Sequence, residues 1–400
     1  MSFTRWRRSV SSDRELRLWK VGYALTVTFI VAILAAGGVL SFLITLLDFE
    51  EIDTTAKLDA KTLFEIVKLS FGVVAGAGAL VALVVAYRRQ RVDEAGAHRE
   101  ATRLHTERFT QAVEQLGSDA PAVSLGGVHA LAGLADDAPD DALRQTCIDV
   151  LCAYLRLPFP DDPGDPPALP DGSSPGLEWE EKHQREKDRY HAVREVRRTI
   201  LRLIGDHYRI PKGTHRSWQG CNLDLTGVVI DGEIDFGGAT FAEGSTVSFS
   251  GATFTEDGSV SFHRATFSGG AVSFMRATFS GMINFGGATF SEGEVSFVEA
   301  EFSGGLAVFN EAVFVGGTVS FIGAKFSGGF ASFGRVTLSD GHVAFSGADF
   351  ASGVVSFHEA TFSGAQVSFI EASGPAPDDL LAAIRNADTA DMHLPDHWLP

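Results

Sequence analysis

The side chains able to do chemistry are few and scattered. Twelve His are spread over 400 residues. His393 and His397 stand four apart, a spacing that lets two imidazoles share a helical face and hold a metal, but Pro395 lies between them. No helix presents both, and the segment reads as tail. Cys147, Cys152 and Cys221 cannot all pair and show no CxxC spacing. They read as reduced thiols in a cytosolic setting, and Cys147 and Cys152, five apart on an expected helix, as buried packing groups. Glu299, Glu311, Glu359 and Glu371 each follow a Phe by two, and Arg264, Arg276 and Arg335 hold the same place in other units. Such periodic charges point outward. The glycines recur as turn residues, not as a GxGxxG between a strand and a helix. No acid/base pair, nucleophile constellation or phosphate loop is visible. The expectation is therefore no enzyme, no cofactor, no metal and no small-molecule substrate.

Composition places these residues on elements. The chain has 43 Gly, 31 Phe and a formal charge of −18. The Phe crowd between Phe236 and Phe369, which rules out one uniform domain and points to a repeat. An acidic chain with pI near 5.0 is no general nucleic-acid binder, because phosphate contacts need Lys and Arg.

Two stretches, Val21–Leu47 and Leu69–Tyr87, carry no charged residue. Each is long enough to cross a hydrocarbon core of roughly 30 Å. Residues 1–20 are basic, as are Arg88, Arg89 and Arg91, whereas loop 48–68 is acidic. Basic flanks stay inside. The expectation is two transmembrane helices, 21–47 and 69–87, with both termini cytoplasmic and the short loop outside. Gly72 and Gly76 form a GxxxG within the second span.

Residues 88–157 read as a helical spacer. A first helix, continuous with the second span, runs to Leu116 and ends at Gly117-Ser118; apolar-periodic stretches follow at about 121–134 and 140–157. This pair is similar to one armadillo or HEAT unit. Pro-rich 158–177 reads as a linker. Residues 178–209 read as a helix with a charged, solvated first half. Its second half is apolar at Val193, Val196, Ile200, Leu203 and Ile204, and could dock on the first coil of the repeat region.

From Leu223 to Glu371 the chain is self-similar. Phe recurs at alternating spacings of five and seven, giving a twelve-residue unit such as Ala265-Thr-Phe-Ser-Gly-Gly-Ala-Val-Ser-Phe-Met-Arg276. Two positions before each Phe sits Ala in one half-unit (Ala252, Ala300) and usually Val in the other (Val247, Val295). Alternation puts the small residue and Phe on one side of a short extended segment. Such a segment buries nothing alone, so copies must stack. At Val336-Thr-Leu338 the small residue grows as the Phe shrinks, a volume-conserving pair of the kind a packed core tolerates.

These residues resemble a known family. Leu223-Asp-Leu-Thr-Gly227 and Val228-Val-Ile-Asp-Gly232 look like pentapeptide repeats, and the rest is similar to the Phe-rich branch, with two residues inserted after every second pentapeptide. This resemblance covers about 149 residues, and the two spans and the helical middle also resemble membrane-anchored bacterial members. The resemblance implies a right-handed, four-sided parallel β-helix over 220–372, with 24 residues per coil and about six coils, after two transmembrane helices and a small α-helical region. Residues 373–400 are then a C-terminal cap and tail, with a short helix Leu380–Asn386 over the last coil near Phe369.

Residues 220–371 carry a net charge of −12. Some pentapeptide-repeat proteins mimic duplex DNA and bind topoisomerases, and that resemblance implies one alternative reading; an accessory or sensor subunit is another. The leading expectation is a non-enzymatic, membrane-tethered scaffold for an unknown protein partner or for self-association, with lipid as the other contact. The insertion suggests where. The residue before each Val-x-Phe segment should sit at a corner. One corner reads Thr246, Ala271, Glu294, Thr318, His342, Gln366; the other reads Ser259, Met282, Leu306, Phe330, Val354. Met282, Leu306, Phe330 and Val354 should stack into an exposed apolar stripe, the expected protein-binding site.

Overall fold

A computed structural model describes residues 60–165, 176–385 and 391–399, with scattered residues between Thr26 and Gly38. The chain divides into two units, Met1–Glu100 and Ala101–Pro400. Helices α1 (Ala60–Leu116), α2 (Pro121–Asp136), α3 (Asp141–Arg156) and α4 (Leu177–Arg209) precede the strands.

The two expected transmembrane helices find no support in the described residues. Among them, no helix is long and apolar enough to cross a membrane. Val21–Leu47 lies mostly outside them. Leu69–Tyr87 is helical within α1, but several of its side chains up to Val74 also fall outside, so no continuous apolar span is shown.

In the second unit α1 stops where the Gly117 N–H donates to the Val113 carbonyl. Helix α2 starts with Pro121 in its first turn, where a missing N–H costs nothing. Asp140 caps α3 by accepting from the Leu143 N–H at 2.8 Å. Val128, Leu131, Ile148 and Leu151 are buried where the helices pack. Cys147 and Cys152 lie in that core as free thiols. Burial pushes them up to about 11 and about 12 respectively, so both stay protonated.

Parallel strands form from Leu223 onward. Leu223 pairs with Val247, and the same column runs through Val295 and Val343 to Val367. The result is a parallel β-solenoid of about seven turns with a regular Phe ladder, consistent with a pentapeptide-repeat β-helix. The sequence suggested six. The tail supplies the difference, because Asp391–His393 adds a parallel strand to Gln366–Ser368.

Each turn contributes four inward pairs, for example Val295/Phe297, Ala300/Phe302, Ala307/Phe309 and Ala312/Phe314, all buried. Phe rings of successive turns stack, as in Phe297–Phe321 with centroids 4.7 Å apart and planes 3° apart. Rings from neighbouring columns meet edge to face, as in Phe309–Phe321 at 5.6 Å and 77°. Both geometries suit the ring quadrupole. Leu338 interrupts one column between Phe314 and Phe362, and it and Val336 are both buried.

Both ends of the solenoid are covered. At the first turn, Ile200, Ile204 and Tyr208 of α4 are buried together with Trp218. The arginines of the helices reach its carboxylates: Arg156 pairs with Asp224, Arg209 with Asp235 at 2.9 Å, and Arg194 with both Asp231 at 2.5 Å and Asp257 at 2.6 Å. At the last turn, helix α5 (Leu380–Arg385) buries Leu380 and packs beside Thr361–Phe362. The expected position of this helix is corrected: the ring over Phe369 is that of Trp398, at 5.5 Å. Its indole N–H donates to the Gly374 carbonyl at 2.9 Å.

Candidate protein-contact surface

The apolar stripe forms as the spacing implied. Met282, Leu306, Phe330 and Val354 are direct partners on successive parallel strands. They are 41, 37, 41 and 50% exposed. The preceding rung is Ser259, so the stripe has a polar end. The opposite corner stacks Thr246, Ala271, Glu294, Thr318, His342 and Gln366 in register. Three ladder steps of roughly 4.8 Å make the stripe about 14 Å long.

Glycines behind the stripe hold it in place. Gly305 and Gly329, each directly before a stripe residue, have φ of 65° and 69°. A Cβ on Gly305 would collide with the Gly281 carbonyl, and one on Gly329 with the Gly305 carbonyl. The left-handed turn and the close approach of successive turns both require Gly, and together they aim the next side chain outward.

A second apolar column was missed in the sequence. Met275, Ile322 and Ile370 are 40, 45 and 47% exposed, and Val298 is half-buried. Each follows by one the Phe of a Val-x-Phe segment, a periodic signal that was there to be read. Backbone bonds stack Met275, Val298 and Ile322 (Arg276 N–H to the Val298 carbonyl, Glu299 N–H to Ile322), and Ser346 then interrupts the column before Ile370, since Gly323 N–H donates to the Ser346 carbonyl and Gly347 N–H to Ile370. In chain order Val298, Glu301 and Leu306 follow one another within one turn. The two columns therefore flank, in chain order, the sheet that holds Glu301 and Lys325, the stripe itself beginning the next sheet. Between them run Thr278, Glu301, Lys325 and Asp349, in register.

Of the periodic charges Arg264, Arg276, Glu299, Glu311, Arg335, Glu359 and Glu371, five are ion-paired among the described residues. Arg276 bonds Glu299 at 2.6 Å, and Arg335 bonds Glu359 at 2.8 Å and approaches Glu311 at 3.8 Å. The hydrogen bond from Arg335 holds the Glu359 carboxyl below its ordinary value. Arg264, Arg276, Glu299, Glu311, Arg335, Glu359 and Glu371 all sit at positive φ, so these side chains project from tight turns.

A cleft of about 1080 Å³ opens elsewhere in the second unit, lined by Tyr154, Phe159, Tyr190 and Arg197 among others. Arg197 is 2% exposed, gives hydrogen bonds to the Leu155 and Val229 carbonyls, and lies 4.7 Å under the Phe159 ring. Its guanidinium is used in holding α3 and the first turn together. Among the described residues no group of three or more His, Cys, Asp or Glu could hold a metal. His393 sits on the added strand, and the His397 ring contacts the Gly374 carbonyl at 3.2 Å; the two serve the cap.

No protein-family model and no curated protein matches the chain.

Proposed function

We propose that the chain is a non-enzymatic, membrane-tethered binding scaffold that presents a pentapeptide-repeat β-helix to a protein partner on the cytoplasmic side. The observation that carries this reading is the in-register stripe Met282, Leu306, Phe330 and Val354, exposed along one corner of the solenoid. Contiguous exposed apolar side chains on a soluble surface mark contact sites. Tethering draws support from the charge-free stretches 21–47 and 69–87 and from Leu80, Leu83 and Val85, which are 50, 66 and 49% exposed on α1. The alternative of a DNA-mimicking topoisomerase modulator needs a ladder of free carboxylates, and the pairing of Glu299, Glu311 and Glu359 with arginine weighs against it.

The test is a cross-linking pull-down from membranes, comparing the wild type with Leu306→Ser/Phe330→Ser. Neither side chain fills the core, so the double variant should keep the wild-type melting temperature and lose the cross-linked partner. Unchanged cross-linking would overturn the stripe as the contact surface.

A further inference from the structure

We infer that the partner on this face is a second copy of the chain, related by a two-fold axis and running antiparallel. The inference rests on reading the stripe as a contact surface. It is carried by the self-complementary order of the residues on the face.

A two-fold interface repeats every contact twice. Let the axis lie across the face, perpendicular to the solenoid. Each column of one copy then meets the same column of the other in reverse order. The central column reads Thr278, Glu301, Lys325, Asp349. With the axis midway between the turns of Glu301 and Lys325, Glu301 meets the partner's Lys325, and Lys325 meets the partner's Glu301. In the same register Leu306 faces the partner's Phe330, and Met282 faces the partner's Val354. All four stripe residues are covered. In the other column Val298 faces the partner's Ile322, and Met275 meets the partner's Ser346.

Other registers do worse. An axis through Lys325 opposes Lys325 with itself and Glu301 with the partner's Asp349, which places like charges together. An axis between Lys325 and Asp349 restores the ion pairs, but Phe330 and Val354 then meet while Met282 and Leu306 run past the end of the stripe. One register alone satisfies the charges and the whole stripe. Lys325 makes no ion pair within its own chain among the described residues, although Glu301 and Asp349 are its ladder neighbours. Lateral pairing is also the open route, because both solenoid ends are capped by Tyr208 and Trp398.

The experiment uses the full-length chain in detergent, with mass measured by light scattering across concentration. A dimer is expected. Glu301→Lys alone, or Lys325→Glu alone, places like charges opposite each other twice and should weaken dimerisation at least about tenfold. The combined swap Glu301→Lys/Lys325→Glu restores opposite charges and should restore the dimer. For geometry, Met282→Cys chains mixed with Val354→Cys chains should form a disulfide-linked pair on oxidation, whereas either population alone should not. A monomer at all concentrations, a swap that fails to rescue, or cross-linking by Met282→Cys alone overturns the proposal. If the chain is monomeric and the Leu306→Ser/Phe330→Ser variant still loses a cross-linked protein from membranes, the second copy is excluded and the contact surface stands. If that variant loses nothing, both readings fall.

Discussion

The Tyr208 ring stands edge-on to Phe236 at 5.3 Å while its hydroxyl donates to the Cys221 carbonyl at 2.5 Å. Helix and solenoid share one hydrophobic core through this contact. Burial raises the phenol well above its ordinary value, so it remains a neutral donor. The helical segment thus covers the first turn, which would otherwise expose unpaired strand groups to another chain.

The other end behaves the same way. Deleting 375–400 removes Leu380, the strand Asp391–His393 and Trp398 together. The truncated chain should form higher oligomers by light scattering. Trp398→Ala alone should cost about 3 kcal/mol, as for other buried aromatic truncations. A truncated chain with the wild-type mass and melting temperature would show that the tail is not a cap.

Val336 and Leu338 test close packing of the column. Leu338→Phe beside a retained Val336 overfills the layer and should cost about 1–3 kcal/mol. Adding Val336→Ala should recover most of that loss and extend the ring stack between Phe314 and Phe362. Melting temperatures of the two single variants and the double variant check it; additive losses would contradict compensation.

Asp136 predicts an acid dependence. Its carboxylate accepts from the His207 Nε2 at 3.2 Å, the Arg216 Nε at 3.0 Å and the Trp218 Nε1 at 3.1 Å. Burial pushes this carboxyl up, yet the hydrogen bonds outweigh it and hold the group below its ordinary value. A carboxyl lowered in the folded state contributes stability above its unfolded value, about 3.9, and loses it as pH falls through the folded value. Asp136→Asn should cost about 1–3 kcal/mol at neutral pH and flatten the fall in melting temperature below about pH 4. Parallel pH profiles for both proteins would contradict this.

Topology follows from the basic flanks. A reporter active only in the cytoplasm, fused after Tyr87 or after Leu399, should be active at both sites. Inactivity at both would place the solenoid on the other side of the membrane and end the cytoplasmic reading.

Much of the solenoid was legible in the sequence because its contacts are translations of one another. Phe297 stacks on Phe321 and Leu306 pairs with Phe330 at the same 24-residue step, so the spacing of Phe and the alternation around it determine which side chains turn inward and which corner carries the stripe. The helix boundaries near Gly117 and Asp140 were legible for a similar local reason, turn and capping chemistry. Contacts without a period were not. The clamp of Arg194 on Asp231 and Asp257 and the meeting of Asp136 with Trp218 join segments at separations that match no coil step, and the return of Asp391–His393 to the edge at Gln366 comes from a segment without the Phe pattern. Which arginine neutralises which glutamate, and that two apolar columns flank one sheet, also depend on how the turns stack. Periodic packing leaves a periodic trace in the sequence, whereas a single long-range closure is decided only when the folded surfaces meet.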